Sequence, residues 1–386
     1  MNANSHLLKR CLVAALLFQA LAGGGQTVAK IAAGGYHSLI LKSDGSLWAM
    51  GHNVAGQLGD AAKELAVNQP EQILTGGVAA IAAGSQHSLF IKSDGSLWGM
   101  GNNFAGQLGD GTLNVVTAPE QILPGGVTAT AAGDLHSLLL KSDGSLWGMG
   151  ANNRGQLGAG RDKFLDRPER LVGLGVTAIA AGFCHSLFLK SDGSLWAMGD
   201  NSYGELGDGT LTNASQPEVI IAGGVVAIAA GGYQSFFLKQ DGSLWGMGRN
   251  DLGQMGDGTT KSVDRPEQII PGDITAVAAG GFQTLFLKSD GSLWVMGQYG
   301  NGPSRDGVDQ GSRRPEQIVP GGVAAIAAGT LHGLFIKNDG SLWAVGEDRY
   351  GQRGDEVFKT DYDFGKIEPK LVVPGQSIVA KALARY

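Results

Sequence analysis

The chain has 386 residues, and 64 of them are glycine, more than twice the usual share of about 7%. Apolar residues make up 43% and charged residues 17%, a composition that can bury a large core and does not fit a disordered chain. With 29 Lys and Arg against 35 Asp and Glu, the net charge of -6 excludes bulk attraction to nucleic acid.

The first residues have the three-part layout of a secretory signal peptide. Lys9 and Arg10 precede an apolar run from Cys11 to Phe18, and Ala20-Leu21-Ala22 follows, before three glycines. We expect a signal peptide over residues 1–22, cleavage after Ala22 and a secreted or periplasmic protein. A disordered leader or a helical cap is the alternative. No other apolar run approaches the roughly 20 residues of a membrane-spanning helix, so no membrane span is predicted.

The rest of the chain repeats one unit. Every tryptophan sits in the same Asp-Gly-Ser-Leu-Trp string, at spacings of 50, 49, 49, 49, 49 and 49 residues. The seven are Trp48, Trp98, Trp147, Trp196, Trp245, Trp294 and Trp343. A fixed period of this length is typical of a propeller or a solenoid.

Each unit contains four short apolar segments separated by turns. In the second unit they are Val78–Gly84, His87–Lys92, Ser96–Gly101 and Pro119–Ile122. The Asp-Gly between the second and third segments predicts a tight hairpin, because glycine accepts the positive φ that such a turn needs. Consecutive apolar residues in these two segments indicate strands that are covered on both faces.

These units predict an all-β fold, a seven-bladed β-propeller of four-stranded antiparallel blades, as a single domain over residues 27–384. The first segment is almost all Ala and Gly, which suits a strand crowded near an axis. An open solenoid is the alternative. Both Thr27–Gly34 and Ile378–Ala384 have the first-strand pattern, so we expect one of them to seal the ring.

The repeat resembles that of the regulator of chromosome condensation family. The strings Ile31–Leu41, Ile81–Ile91, Ile179–Leu189 and Ile326–Ile336 carry the resemblance, with Asn103–Gly111, and it extends over about residues 27–384. It implies a seven-bladed propeller. Members include a nuclear exchange factor for a small GTPase, ubiquitin-ligase modules and a secreted bacterial β-lactamase inhibitor, which share binding of another protein through one face. This chain departs from the nuclear member in its export signal and its lack of a basic tail.

Histidine recurs at one slot of the unit and raises the question of a metal site. The slot holds His37, His87, His136, His185 and His332, with Gln234 and Gln283 in the other two units. Glutamine is a poor metal ligand but can replace a histidine in a hydrogen bond to the backbone, so we expect a structural role. Cys184 and His185 are adjacent and should point to opposite faces of a strand.

The seven repeated aspartates belong to the hairpin turns, where an aspartate bonds its own backbone. They are Asp44, Asp94, Asp143, Asp192, Asp241, Asp290 and Asp339. We therefore predict no catalytic residue, no cofactor and no metal ion.

The positions that vary inside the constant frame are the candidates for binding a partner. A variable pair lies between Ala-Ala-Gly and the His/Gln slot, and its turns should all emerge on one face near the axis. The candidate partner-binding residues are Tyr36, Gln86, Leu135, Phe183, Tyr233, Phe282 and Leu331. We expect them to form a ring of aromatic and aliphatic tips, a composition favoured at interfaces. Alternatively, they plug the central channel.

The loops that follow the tryptophan strands carry arginines and form a secondary candidate surface. Most of these arginines are expected to be solvated. We expect a monomeric, exported, non-enzymatic scaffold that binds another protein with one face, either as an inhibitor of a secreted enzyme or as a surface interaction module. A carbohydrate-binding propeller and an exchange-factor-like regulator of a small GTPase are the alternatives.

Overall fold

The computed structural model of the protein describes residues 26–61, 65–158, 163–299, 311–354 and 369–373. The predicted signal peptide and the segment Ile378–Ala384 lie outside these residues. Those that are described form seven four-stranded antiparallel sheets, each built from one continuous stretch of chain in the order inner to outer. The predicted seven-bladed propeller is therefore confirmed. None of the described residues forms a helix long and apolar enough to cross a membrane.

Each blade contributes one inner strand. These are β1 (Val28–Ala33), β5 (Val78–Ala83), β9 (Val127–Ala132), β13 (Val176–Ala181), β17 (Val225–Ala230), β21 (Ile274–Ala279) and β25 (Val323–Ala328). The second strands begin at the His/Gln slot and are buried on both faces. They are β2 (His37–Lys42), β6 (His87–Lys92), β10 (His136–Lys141), β14 (His185–Lys190), β18 (Gln234–Lys239), β22 (Gln283–Lys288) and β26 (His332–Lys337).

The third strands carry the tryptophans. They are β3 (Leu47–His52), β7 (Leu97–Gly101), β11 (Leu146–Ala151), β15 (Leu195–Gly199), β19 (Leu244–Gly248), β23 (Leu293–Gln298) and β27 (Leu342–Gly346). The outer strands are β4 (Ala66–Leu74), β8 (Val116–Leu123), β12 (Phe164–Val172), β16 (Ala214–Ile221), β20 (Val263–Ile270), β24 (Gly311–Val319) and β28 (Lys370–Val373). Proline interrupts the free edge of an outer strand, as at Pro119 and Pro217, and prevents a further strand from pairing there.

The core is a series of seven interfaces between neighbouring blades. Phe90 and Met100 of blade two, for example, pack against Leu39 and Leu41 of blade one with none of these four side chains more than 3% exposed. The same arrangement joins blade one to blade seven, where Ile40 and Met50 pack against other fully buried side chains of β26 and β27. The ring is therefore closed by packing between complete blades.

Around the axis, the backbones of neighbouring blades lie so close together at the glycines after the inner strands that no larger residue fits there. A Cβ atom built on Gly133 would lie 2.4 Å from the carbonyl oxygen of Gly182 in the next blade, and one on Gly329 would lie 2.4 Å from that of Gly34. Backbone hydrogen bonds link the blades at the same level, including the one from Thr330 N to Gly34 O across the closure. Thr27–Gly34, which contains β1, thus supplies the innermost strand of blade one.

Candidate functional site

The disc has two faces of different character. In an antiparallel blade, the turn after the first strand and the loop after the third strand emerge at the same end. We call the surface made by these turns and loops the loop face. We call the opposite surface, made by the Asp-Gly turns and the links between blades, the hairpin face.

The hairpin face repeats one arrangement seven times. In blade two, Asp94 Oδ1 accepts hydrogen bonds from Ser96 N at 2.9 Å and Ser96 Oγ at 2.6 Å, which lower the pKa of Asp94. The indole N–H of Trp98 donates to Ser96 Oγ, and Lys92 Nζ lies 3.6 Å from the centre of its ring. The lysine–tryptophan contact recurs in every blade at 3.5–4.2 Å. This face offers little that could distinguish one blade from another.

The loop face holds most of the exposed large apolar side chains among the described residues. Seven of the twelve lie in its turns and loops, namely Val54, Leu65, Phe104, Leu113, Leu135, Tyr203 and Leu211. On the hairpin face the corresponding example is Leu174, in the link between β12 and β13. Exposed apolar side chains gathered on one face are typical of a surface that contacts another molecule.

The two residues of each variable pair do different things. A cavity of about 140 Å³ on the axis is lined by the inner strands and by the first residue of most pairs, such as Ser85 and Thr330. Among the predicted partner-binding residues, only Phe183 lines this cavity, because it occupies the first position of its pair. The expected plug is thus limited to Phe183, and the other six candidates occupy the second position, outside the cavity lining.

Three of the predicted residues belong to one cluster over blades four to six. The rings of Phe183 and Tyr233 meet edge to face at 5.6 Å, and Tyr203 lies 5.3 Å from Tyr233. The Arg249 guanidinium lies 5.2 Å from Tyr203, 5.8 Å from Tyr233 and 5.5 Å from Phe282. We call these five residues the arginine–aromatic cluster.

Tyr36 belongs to a separate group at the junction of blades seven and one. Its ring lies 5.3 Å from Tyr350 and 6.4 Å from His52, and these two rings are 4.6 Å apart. Gln57 Nε2 donates to His52 Nδ1 at 3.1 Å, since an amide nitrogen can only donate. We call Tyr36, His52 and Tyr350 the junction cluster.

The remaining predicted residues make no aromatic contact. Gln86 Oε1 accepts a hydrogen bond from Asn102 Nδ2 at 3.0 Å, Leu135 is 36% exposed, and Leu331 is partly buried. The expected continuous ring of tips is therefore replaced by two aromatic clusters with aliphatic and amide side chains elsewhere.

Each of the five repeated histidines is hydrogen-bonded to a serine of a neighbouring blade. His37 Nε2 lies 2.9 Å from Ser88 Oγ of the next blade, and Ser88 donates its own proton to Gln57 O at 2.7 Å. The hydroxyl must therefore accept from Nε2–H, which leaves Nδ1 as the unprotonated nitrogen. The expected backbone acceptor is wrong for histidine, because a serine hydroxyl is interposed. Gln234 does donate directly to Gly280 O at 2.8 Å, whereas Gln283 Nε2 is buried without a hydrogen-bond partner.

These histidines are fully buried and neutral. Burial lowers the pKa to about 3 for His37, His136 and His332 and to about 4 for His87 and His185. No group of His, Cys, Asp and Glu among the residues described could hold a metal ion. Burial, aided by nearby carboxylates, raises the pKa of Cys184 to about 11, so its thiol is a poor nucleophile.

The polar residues of the Asn-x-x-Gly-Gln-Leu-Gly-Asp loop hold the loop itself. In blade two, Asn103 Oδ1 accepts from Leu108 N, and Asn103 Nδ2 donates to Asp110 Oδ1. Gln107 Oε1 accepts from Ala105 N at 3.0 Å. Arg167 of blade three is exposed, and its guanidinium lies over Gly111 of this loop, where a Cβ atom would meet it at 2.2 Å.

Blade four departs from this loop pattern in a way that sequence reasoning missed. Glu205 replaces the glutamine found in five other blades, and its Oε2 accepts from Tyr203 N at 2.8 Å, as the glutamine Oε1 does elsewhere. Its second oxygen, Oε1, is buried without a hydrogen-bond partner. Burial, with a contribution from Asp200, raises the pKa of Glu205 to about 7.

Sequence reasoning also missed the tips of the outer loops. Phe104, Tyr203, Arg249 and Tyr350 all vary inside a constant frame, which is the same signal that selected the variable pairs.

Comparison with known proteins identifies the repeat. Two family models, both described as the regulator of chromosome condensation (RCC1) repeat, match the chain. One matches residues 28–57, 78–107, 127–156, 176–205, 225–254 and 323–352, and the other matches residues 44–91, 94–140, 143–189, 192–238 and 241–287. A search of curated proteins finds no match.

Several solved structures share the fold. Human WBSCR16 is 24% identical with a TM-score of 0.74, over 85% of this chain and 94% of its own. Prp20p from Saccharomyces cerevisiae, described with its binding to Gsp1p and histones, is 23% identical with a TM-score of 0.73, over 87% of this chain and 88% of its own. The repeat matches, which extend over more than half of the sequence, and the seven described blades show that the chain belongs to the regulator of chromosome condensation repeat family.

Proposed function

We propose that this protein is an exported, non-enzymatic scaffold that binds another protein through its loop face. The observation that carries the proposal is the contrast between the faces. The hairpin face repeats the same lysine, tryptophan and aspartate in every blade, whereas the loop face differs from blade to blade and exposes apolar side chains. A surface that selects one partner needs such differences.

The arginine–aromatic cluster is the proposed anchor of the interface. Tyrosine, tryptophan and arginine dominate the residues whose truncation costs most binding energy. Tyr233 is partly buried, and its ring touches those of Phe183 and Tyr203, so little side-chain entropy is lost when a partner covers it. The junction cluster offers a second contact across the closure of the ring. An inhibitor of a secreted enzyme and a surface interaction module are the two concrete forms of this function.

The test is capture of the partner from the organism's envelope and medium by the purified protein, repeated with two alanine variants. Tyr233→Ala is expected to weaken capture about tenfold or more. Leu174→Ala removes an exposed apolar side chain from the hairpin face and should leave capture unchanged. Loss of capture with Leu174→Ala alone would place the interface on the other face and overturn the proposal.

A glycan ligand is the second candidate, favoured by the partly exposed tyrosine rings of both clusters. Binding on a glycan array that Tyr233→Ala abolishes would establish it in place of a protein partner. An exchange-factor role, which the family resemblance implies as an alternative, requires that the protein accelerate nucleotide release from a small GTPase.

A further inference from the structure

We infer that Asp200 and Glu205, together with Tyr203 and Tyr233, form a subsite on the loop face for the guanidinium group of an arginine from the partner. This inference rests on the proposed function, because it names the chemistry that the same face would recognise. It begins from two acidic residues in one loop of blade four, Asp200 and Glu205.

The fold does not need a carboxylate at position 205. The loop requires one oxygen to accept the N–H two residues earlier, and glutamine supplies it at Gln57, Gln107, Gln156, Gln254 and Gln352. Glu205 makes this bond with Oε2, and its backbone carbonyl accepts from Ser235 Oγ, as in the other blades. Oε1 is left over, fully buried and without a hydrogen-bond partner, as is the Nε2 atom of Gln107 and of Gln352 at the same position of their loops. A carboxylate oxygen left unpaired at this position costs more desolvation free energy than the neutral amide that the other loops carry there.

A second carboxylate, Asp200, lies near enough to contribute to the raised pKa of Glu205, and its Oδ1 accepts a hydrogen bond from Ser202 Oγ at 2.6 Å. In blade one, the amide nitrogen of Gln57 reaches the side chain at position 52, and the equivalent position in blade four is Asp200. Asp200 N donates to Cys184 O at 2.9 Å, and the pKa of the Cys184 thiol is raised by Asp134, Asp200 and Glu205. The exposed Arg154, on the neighbouring blade, is the cation that lowers the pKa of this thiol. Negative charge therefore dominates this part of the face.

Aromatic rings flank the carboxylates. Tyr203 lies on the same loop as Asp200 and Glu205, is 36% exposed, and stands 5.3 Å from Tyr233. Two buried carboxylates beside two tyrosine rings suit a cation that can bond to oxygen and stack on an aromatic face at once. Arginine meets both requirements better than lysine, whose ammonium is more strongly hydrated.

The chain itself contains a precedent for the proposed contact. Arg249, at the equivalent position of the next blade, packs over Tyr203 and Tyr233. Its Nε and Nη2 donate to the two oxygens of Asp251, both at 2.7 Å. Because Asp251 already pairs with this guanidinium, Arg249 does not neutralise Asp200 and Glu205. Asp200 would contact the partner's arginine, and Glu205, lying deeper, would act on it through its charge.

The test uses Nα-acetyl-arginine methylamide as a probe, titrated at pH 8 into the full chain and followed by NMR chemical shifts. The unmodified protein is expected to bind it, and Glu205→Gln to bind it about tenfold more weakly, a loss of about 1.4 kcal/mol. Glutamine occurs here in five other blades, so this variant should keep the fold. Asp200→Asn is the second variant and should weaken binding similarly. The citrulline analogue, which has the same shape without the charge, should not bind.

Gln107→Glu is the matched control, because it adds a carboxylate to blade two, where Asn102 stands in place of Asp200. This variant should bind the arginine probe no more tightly than the unmodified protein does. Equal affinity of the unmodified protein and Glu205→Gln, equal binding of citrulline, or tighter binding of the lysine analogue would overturn the inference. If a partner is captured equally well by the unmodified protein and by Glu205→Gln, the subsite is wrong and the proposed function stands. If the protein binds the arginine probe but captures no partner protein, the proposed function is wrong and the subsite stands.

Discussion

At the residue scale, the histidine slot shows how a repeated position can resemble a metal site and serve the fold. Each ring is fully buried, and His87, for example, reaches Ser137 of the next blade at 2.9 Å. Because the serine donates its proton to a backbone carbonyl, the histidine must donate and stays neutral. The spacing of the histidines was evident from the sequence, but the serine partner was not, since it lies 50 residues away in another blade.

The neutral histidines predict a stability that falls on acidification. The unfolded chain binds a proton at each histidine below about pH 6.5, whereas the folded chain resists protonation down to the pKa of about 3 or 4. Stability is therefore lost as the pH falls through this window, by about 1.4 kcal/mol per pH unit for each histidine. The measurement is urea unfolding between pH 7 and 5.

His87→Gln is the control for this prediction, and it should reduce the slope by one proton. Gln234 already occupies the equivalent position in blade five, so the backbone there accommodates glutamine. A stability that stays constant between pH 7 and 5 would show that these histidines are not held neutral.

At the scale of the strand, the inner segment illustrates what sequence patterns can and cannot predict. Its Ala and Gly content predicted crowding near the axis, and the Asp-Gly turns predicted the hairpins, where Gly95 takes a φ of 79°. The positions of Phe183 and Tyr36 within their turns could not be predicted. Whether a side chain lines the channel or the face depends on one step of register, and Phe183 precedes its slot by two residues where Tyr36 precedes it by one.

The close approach of the inner strands predicts that Gly133→Ala is strongly destabilising. The added methyl group would meet the Gly182 carbonyl oxygen at 2.4 Å and His136 Cε1 at 2.5 Å. We expect a loss of about 2 kcal/mol or more in the free energy of unfolding, since overpacking of a rigid site typically costs 1–3 kcal/mol.

Gly125→Ala is the matched control for that variant. It lies in the link before β9, where the nearest atom to an added Cβ is 3.7 Å away. Its stability should change by less than about 1 kcal/mol. Similar losses for the two variants in thermal or urea unfolding would contradict the account of the inner ring.

At the scale of the whole molecule, the ring is closed by the same packing that joins every other pair of blades. Both the number of blades and the family were predictable from the spacing of seven tryptophans. The manner of closure was not, because two segments of the sequence had the first-strand pattern and the packing of blade seven against β1 depends on three-dimensional shape.

Closure predicts that Ile40→Ala, at the junction of blades one and seven, destabilises as much as an equivalent change elsewhere. Ile40 and Leu139 occupy the same position in blades one and three, and both are fully buried. Each alanine variant should cost about 2–5 kcal/mol, the usual range for such truncations. A small loss for Ile40→Ala beside a large one for Leu139→Ala would indicate an open ring.

The whole-molecule account assigns partner recognition to the loop face, and site-specific photo-crosslinking tests this most directly. A photoreactive amino acid is placed at Tyr203 on the loop face or, in a second variant, at Leu174 on the hairpin face. Both positions are exposed, at 36% and 65%. After illumination in the organism's own envelope and medium, we predict a discrete protein adduct from position 203 and none from position 174. An adduct that forms only at position 174 would contradict the account.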